Sequence, residues 1–301
     1  MRIVLLFSFL IACSITGLCQ AKKLSVIGSS TAAGTGATGY DSSYVGRVEA
    51  YYDNLGIPTT VTNLALGGSN CYRGLPSSYF ITPPPPPFVM LAFPDVDRNV
   101  TKALSFNPDV VIVGYPSNLY NTVDFTIPRI LDVHQKIYDS VIAAGKVCFI
   151  TTTQPRQDAG VFDTPESRQK LKDIRDAMML QFGNYAIDFW TGIALPDNTI
   201  NPMYSAGDNI HLNNAGHREL FRRVRNKDIF GIGLVNRATS NGNWENPAIW
   251  ENGEIPTLAD SVVILGGRTV TLNSNAEVRK LSVIQPATFT VSSSRLLKIG
   301  N

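Results

Sequence analysis

Leu24-Ser25-Val26-Ile27-Gly28-Ser29-Ser30-Thr31 is the stretch that decides the fold. Its first five residues are a short apolar run suited to a strand covered on both faces, and the run passes without a spacer into a Gly-Ser-Ser-Thr turn. A serine at that junction is displayed at the carboxyl edge of a sheet, beside the backbone N–H groups of the turn. Working outward, apolar runs recur at 60–65, 110–114, 147–152 and 186–189, and amphipathic patterns lie between them at 44–54, 97–106, 124–144, 164–182 and 213–226. The period is clearest in 124–144, where Ile127, Ile130, Leu131, His134, Ile137, Tyr138 and Val141 fall near one face. Five such units predict an α/β domain with a doubly wound parallel sheet, whose ligands bind beyond the carboxyl ends of the strands.

Composition narrows the function. With 301 residues, 44% apolar and 17% charged, the chain has material for a sizeable core and roughly two domains. Its 26 basic and 24 acidic residues nearly cancel and form no long block, which argues against nucleic acid as a partner. The first residues read as an export signal, with Arg2, an apolar run over 3–13, then Gly17, Cys19 and Ala21. Two processing routes stay open. An ordinary secretory signal would be cut after Cys19 or Ala21, whereas Leu10-Ile11-Ala12-Cys13 resembles a lipobox that would anchor Cys13 to lipid. The shortness of the run before Cys13 favours the first, so the expected location is secreted, periplasmic or cell surface. No later stretch is long and apolar enough for a membrane span. Past the signal only Cys71 and Cys148 remain, which excludes a disulfide framework and favours two separate thiols over a single bridge.

The pattern changes near residue 236. Helical periodicity ends, and short β-type runs at 261–265, 269–272, 281–284 and 288–291 alternate with Gly, Asn, Asp and Ser. The expected organisation is a signal over 1–21, an α/β domain over 22–236 and a small all-β module over 237–301. The segment from Gly242-Asn243-Trp244 through Trp250, Pro256 and Asp260 to Ser261-Val262-Val263-Ile264 resembles the opening of β-helix-like modules on extracellular bacterial proteins. Between Ser69 and Asp95 the prolines at 83–87 predict a stiff polyproline stretch. Tyr72, Tyr79, Phe80, Phe88 and Phe93 would either line the mouth of the site or form a small cluster of their own.

Ser30 alone is a weak signal, because serine and glycine crowd every loop. It gains weight from Asp208-Asn209-Ile210-His211, far downstream in a turn before the last helical pattern. A serine hydroxyl needs a base near neutral pH, imidazole is suited to that task, and a carboxylate three residues earlier can brace its other ring nitrogen. Asn63-Leu64-Ala65-Leu66-Gly67-Gly68 follows the second strand, where a glycine lets a backbone N–H approach a substrate oxygen. Gly114-Tyr115-Pro116-Ser117-Asn118 follows the third, where the Asn118 amide can donate to the same oxygen.

These positions together resemble the SGNH (GDSL-like) hydrolase family across about 210 residues, in the family's order. The resemblance implies a three-layer αβα, flavodoxin-like sheet and carries over Ser30 as nucleophile, His211 as base and then acid, and Asp208 as the orienting carboxylate. The oxyanion donors would be the Ser30 and Gly68 N–H groups and the Asn118 side chain, with Gly68 preferred to Gly67 by its spacing from Asn63. Two positions depart from the family pattern: Ser29 stands where Asp is frequent, and Leu119 follows Asn118 where Asp is usual, which leaves the support of Asn118 unassigned.

Several motifs compete. Gly34-Thr35-Gly36-Ala37-Thr38-Gly39 fits a dinucleotide-binding pattern but starts six residues past its strand and has no acidic ribose partner. Asp208, His211 and His217 lack a further ligand nearby in sequence for a metal site. His217 falls in the first turns of the last helix and His134 on a packed or half-exposed helix face; Trp244 and Trp250 read as core more readily than as a sugar-stacking platform. The expectation is a secreted serine esterase, with no cofactor or metal, acting on small acyl esters, with acetyl groups on polysaccharide as the expected case. The alternatives are a noncatalytic carbohydrate-binding or adhesion protein, and a lipase, thioesterase or acyltransferase using the same triad.

Overall fold

Five parallel strands carry the first part of the chain: β1 (Lys22–Gly28), β2 (Thr59–Asn63), β3 (Val110–Gly114), β4 (Val147–Thr151) and β5 (Ala186–Ile187), in the order β2-β1-β3-β4-β5. The structure, a computed structural model, describes residues 21–79, 94–115, 117–120, 122, 124–251 and 253–300. The export segment before Ala21, the prolines at 83–87, and Phe80, Phe88 and Phe93 lie outside the described residues. Every residue of β3 is buried, with Val111 and Val113 facing one layer and Val110 and Ile112 the other, which is why its sequence shows no polar alternation. Helices α2 (Tyr44–Asn54) and α6 (Asn214–Asn226) cover one face of the sheet, and α3 (Val100–Ser105), α4 (Ile127–Ala143) and α5 (Pro165–Phe182) the other. The result is the three-layer αβα arrangement expected.

Strand order reverses between β1 and β3, so a crevice opens at their carboxyl ends. Several boundaries differ from the sequence reading because side chains take over from the ladder. β2 stops at Asn63, whose side chain donates to the Ala32 carbonyl at 2.8 Å and accepts from the Ala65 N–H at 3.0 Å. β5 stops at Ile187 because Asp188 accepts from the N–H groups of Trp190 and Thr191 and turns the chain. α3 starts at Val100, capped by Asn99 on the Lys102 N–H.

Tyr72 does not line the site mouth. It is 2% exposed in the core beneath α4, and Tyr79 packs at the edge of the same core. Cys71 and Cys148 are free and buried. His134 is fully buried rather than half-exposed, and its Nδ1 hydrogen bonds the Ile130 carbonyl at 2.7 Å.

Past α6 the described residues form strands and short turns. β6 (Val235–Ala238), β8 (Ser261–Ile264) and β11 (Lys280–Val283) stack in parallel register. So do β7 (Gly242–Asn243), β9 (Thr269–Leu272) and β12 (Thr288–Val291), and the pair β10 (Ala276–Val278) and β13 (Leu297–Ile299). Ser261 pairs with Lys280 and Thr269 with Thr288, a shared step of 19 residues, so successive coils lie one above the other as in a β-helix. Val262, Ile264, Val270, Leu272 and Val278 point inward, and Trp244 and Trp250, 1% and 2% exposed, belong to that core and offer no open ring face. The coils are fastened to α6. Arg225 and Asp260, both fully buried, pair at 2.5 Å, and Arg218 and Arg222 share Glu254 at 3.0 and 3.1 Å.

Candidate active site

Gly28 makes the turn into the site feasible. A Cβ there would lie 2.6 Å from the Gly114 carbonyl oxygen and 2.7 Å from the Ala32 Cβ, so only glycine lets β1 run against β3 and turn at once. The Ser29 N–H then donates to Gly114 O at 2.9 Å, and Ser30 opens the one-turn helix α1 (Ser30–Ala33).

His211 arrives from the loop before α6. Ser205 and Leu212 form an antiparallel bridge across this loop, Asn209 takes a left-handed φ of 63°, and Asn213 caps α6 on Ala215 and Gly216 while its amide donates to Met203 and Ser205 carbonyls. Asp208 Oδ1 accepts from the backbone N–H groups of Ile210 at 2.9 Å and His211 at 2.7 Å. Its Oδ2 lies 2.5 Å from His211 Nδ1, and His211 Nε2 lies 2.8 Å from Ser30 Oγ. An ionised carboxylate only accepts, so Nδ1 carries the ring proton and the Nε2 lone pair faces the serine hydroxyl. Although partial burial pushes the other way, the two backbone donors and the ring hold the Asp208 carboxyl below its usual range, and it stays ionised at neutral pH.

Facing this series is a cavity of about 410 Å³ lined by Ser30, Thr35, Gly67, Gly68, Asn118, Tyr120, Arg156, Ile210 and His211. Gly68 has φ +78°, a conformation costly for other residues, in the turn that follows β2. The Asn118 amide is fixed at both ends: Nδ2 donates to Ser69 O at 3.0 Å, and Oδ1 accepts from Arg156 Nη1 at 3.2 Å. Leu119 is 3% exposed and part of the core, so the neighbour that departs from the expected pattern supports packing and not the amide. Ser30, Gly68, Asn118 and His211 thus line one cavity, with Asp208 reaching it through His211.

Three residues of the segment after β4 were not singled out by sequence reasoning. Buried Gln154 spans the two halves of the series, accepting from Thr31 Oγ1 at 2.9 Å and donating to Ile210 O at 2.6 Å. Gln157 donates from its backbone to Asn209 O at 2.9 Å. Arg156 reaches Asn118 and Ser117. The one available signal was position, since the segment leaves the carboxyl end of a central strand, on the same rim as the other blocks. His217 is no ligand: it accepts from the Tyr44 N–H at Nδ1 and donates from Nε2 to Thr35 O at 3.1 Å, tying α6 to the loop after Ser30. The glycine pattern at 34–39 packs against the His211 loop, where a Cβ on Gly36 would lie 2.2 Å from Leu212 O. No group of three His, Cys, Asp or Glu side chains among the described residues is placed to hold a metal ion, and no helix among them is long and apolar enough to cross a membrane.

The profile of the GDSL-like Lipase/Acylhydrolase family matches residues 26–219. Solved structures with a similar chain path include a GDSL-like lipase from Bacteroides thetaiotaomicron, 12% identical, covering 68% of this chain and 86% of that one with a TM-score of 0.48. An acetyl xylan esterase is 15% identical, with 67% and 98% covered and a TM-score of 0.49. A two-domain esterase active on acetylated mannans is 16% identical, with 69% and 48% covered and a TM-score of 0.43. No curated protein matches the sequence.

Proposed function

Because this chain belongs to the GDSL-like lipase/acylhydrolase family and is a serine ester hydrolase, we propose that Ser30, His211 and Asp208 are its nucleophile, its base and then acid, and its orienting carboxylate. The observation that carries this reading is the unbroken hydrogen-bonded series from Asp208 Oδ2 through both ring nitrogens to Ser30 Oγ, at 2.5 and 2.8 Å. Ser30 Oγ attacks the ester carbonyl while its proton passes to His211 Nε2, and the carbonyl oxygen becomes an oxyanion accepting from the N–H groups of Ser30 and Gly68 and from Asn118. The intermediate collapses, the alcohol leaves with the proton from His211, and the acyl group stays on Ser30. Water, deprotonated by His211, then releases the acid and restores the serine.

On this reading residues 22–236 carry the reaction and 237–301 are an appended coil stack. The substrate class is a small acyl ester, with acetyl groups on an extracellular polysaccharide as the proposed case. Support comes from the export-type N-terminus and from a cavity whose described walls are mostly small or polar. The noncatalytic alternative rests on Leu119 and on the β module; Ser69 and Arg156 holding Asn118 speaks against the first ground, and probe labelling of Ser30 tests the alternative as a whole.

Ser30→Ala is expected to lower kcat on a short-chain ester by about 10⁶ and to abolish labelling by a fluorophosphonate probe, and Asn118→Ala to cost ~10² to 10³. An unchanged rate in Ser30→Ala would falsify the triad assignment. Release of acetate from acetylated glycans, set beside release from long-chain lipid esters, tests the substrate class; hydrolysis of the lipids alone would end the polysaccharide version.

A further inference from the structure

Asn118 is held by residues distant in sequence. Leu119 is committed to the core, and Ser117 is itself held by Arg156, whose Nη1 donates to Ser117 Oγ at 2.9 Å and to Asn118 Oδ1 at 3.2 Å. Both Nη1 hydrogens are therefore spent on the segment after β3. The guanidinium has little freedom to leave. Nε and Nη2 meet the two oxygens of Asp158 at 3.0 and 2.9 Å, the plane packs near the Tyr120 and Phe162 rings at 5.3 and 5.0 Å, and the side chain is 6% exposed.

We propose that Arg156 is a positioning residue that aims and polarises the Asn118 amide, so that the segment after β4 sets the strength of the oxyanion site. This rests on the reading of Asn118 as an oxyanion donor. Of the two Nδ2 hydrogens one serves Ser69 O, which leaves one for a ligand in the cavity that Asn118 lines. A charged donor on Oδ1 draws electron density through the conjugated amide and makes the remaining N–H a stronger donor. It also selects the amide orientation, since a flipped Asn118 would bring its NH₂ against the cation and its oxygen against the Ser69 carbonyl. An oxyanion gains more from such a donor than a neutral carbonyl does, so the effect falls on kcat.

The plain alternative is that Arg156 only forms a buried ion pair with Asp158. A double-mutant cycle on the full chain separates the two, with p-nitrophenyl acetate as the probe and the melting temperature recorded for each variant. Arg156→Met is expected to lower kcat ~10- to 100-fold with KM within about two-fold. In an Asn118→Ala background the same change should cost less than about three-fold, because the group it acts through is gone. Asp158→Asn breaks the ion pair but keeps both Nη1 bonds, and its loss of kcat should stay well below that of Arg156→Met. If Arg156→Met does not fold, Arg156→Lys enters the same cycle; its compact ammonium lacks the planar fork that reaches Asp158, Ser117 and Asn118 together. The full loss persisting without Asn118, or a rise in KM at unchanged kcat, overturns the proposal. Ser30→Ala is assayed alongside: full turnover in that variant removes the triad reading and this proposal with it, whereas an inactive Ser30→Ala with an additive cycle removes the Arg156 role alone.

Discussion

Asp208→Asn exchanges one atom and should disable the site by changing which ring nitrogen bears the proton. Asp208 Oδ1 already receives two backbone N–H groups, from Ile210 at 2.9 Å and His211 at 2.7 Å. An asparagine has one acceptor oxygen, and those donors claim it. Its NH₂ group then faces His211 Nδ1, which must accept, so the ring proton moves to Nε2 and points at Ser30. That nitrogen can no longer take the serine proton. Recovering the working tautomer means flipping the amide, which forfeits two hydrogen bonds at ~0.5 to 1.5 kcal/mol each and sets NH₂ against two N–H groups left unsatisfied, at about 2 kcal/mol more. A total of about 3 to 5 kcal/mol corresponds to a loss of kcat of ~10² to 10⁴, and a triad given the same exchange in another serine hydrolase loses about 10⁴. Initial rates on p-nitrophenyl acetate at pH 8 measure it. Because the Asp208 side chain is 48% exposed, the melting temperature should move by no more than ~2 to 4 °C. A folded variant keeping more than a tenth of the wild-type kcat would refute the tautomer reasoning.

Gln154→Leu strands Thr31 Oγ1 and the Ile210 carbonyl at ~1 to 3 kcal/mol each, so urea unfolding should show a loss of about 2 to 6 kcal/mol together with reduced kcat; a stability equal to wild type would contradict the strut. Burial, only partly offset by the Ile130 carbonyl, lowers the His134 pKa to about 4, so the native state disfavours its protonation. The resulting stability is complete above the unfolded value near 6.5 and is lost as pH falls from there toward 4, by ~3 kcal/mol. The stability of wild type relative to His134→Leu should therefore fall with pH across that window, and parallel curves would exclude the assignment. Burial pushes the Cys71 thiol up to about 12 and Cys148 higher still, so iodoacetamide at pH 8 should label neither until urea unfolds the protein; rapid labelling of the native chain would count against both positions.

The sheet was legible because buried parallel strands are written locally. The run at 110–114 became β3 with the same ends, and 44–54 became α2. Boundaries moved where one polar side chain captured backbone groups, as Asn63 and Asp188 do, and such local competition leaves no periodic trace. The site residues were legible for a related reason: each follows a strand end or precedes a helix. Gln154 and Arg156 were not, because their partners Thr31 and Asn118 lie 123 and 38 residues away and a polar loop residue reads as solvated until the fold closes over it. In the last sixty residues the longer runs were visible, whereas β7 and β10, of two and three residues, are strands only because a coil above or below supplies their partners.

The union of Arg225 with Asp260 limits how the polypeptide can be shortened. Both members are sealed from water, one in the helix that begins three residues after His211 and the other at the foot of the coils. Severing the chain near Ala238 would remove Asp260 and Glu254 together and open to water the flank of α6 on which Arg218, Arg222 and Arg225 now pair with them. The coil stack is therefore a keel for the α/β body, and a minimal enzyme would first have to give the apolar side chains beneath it a polar surface or a new cover.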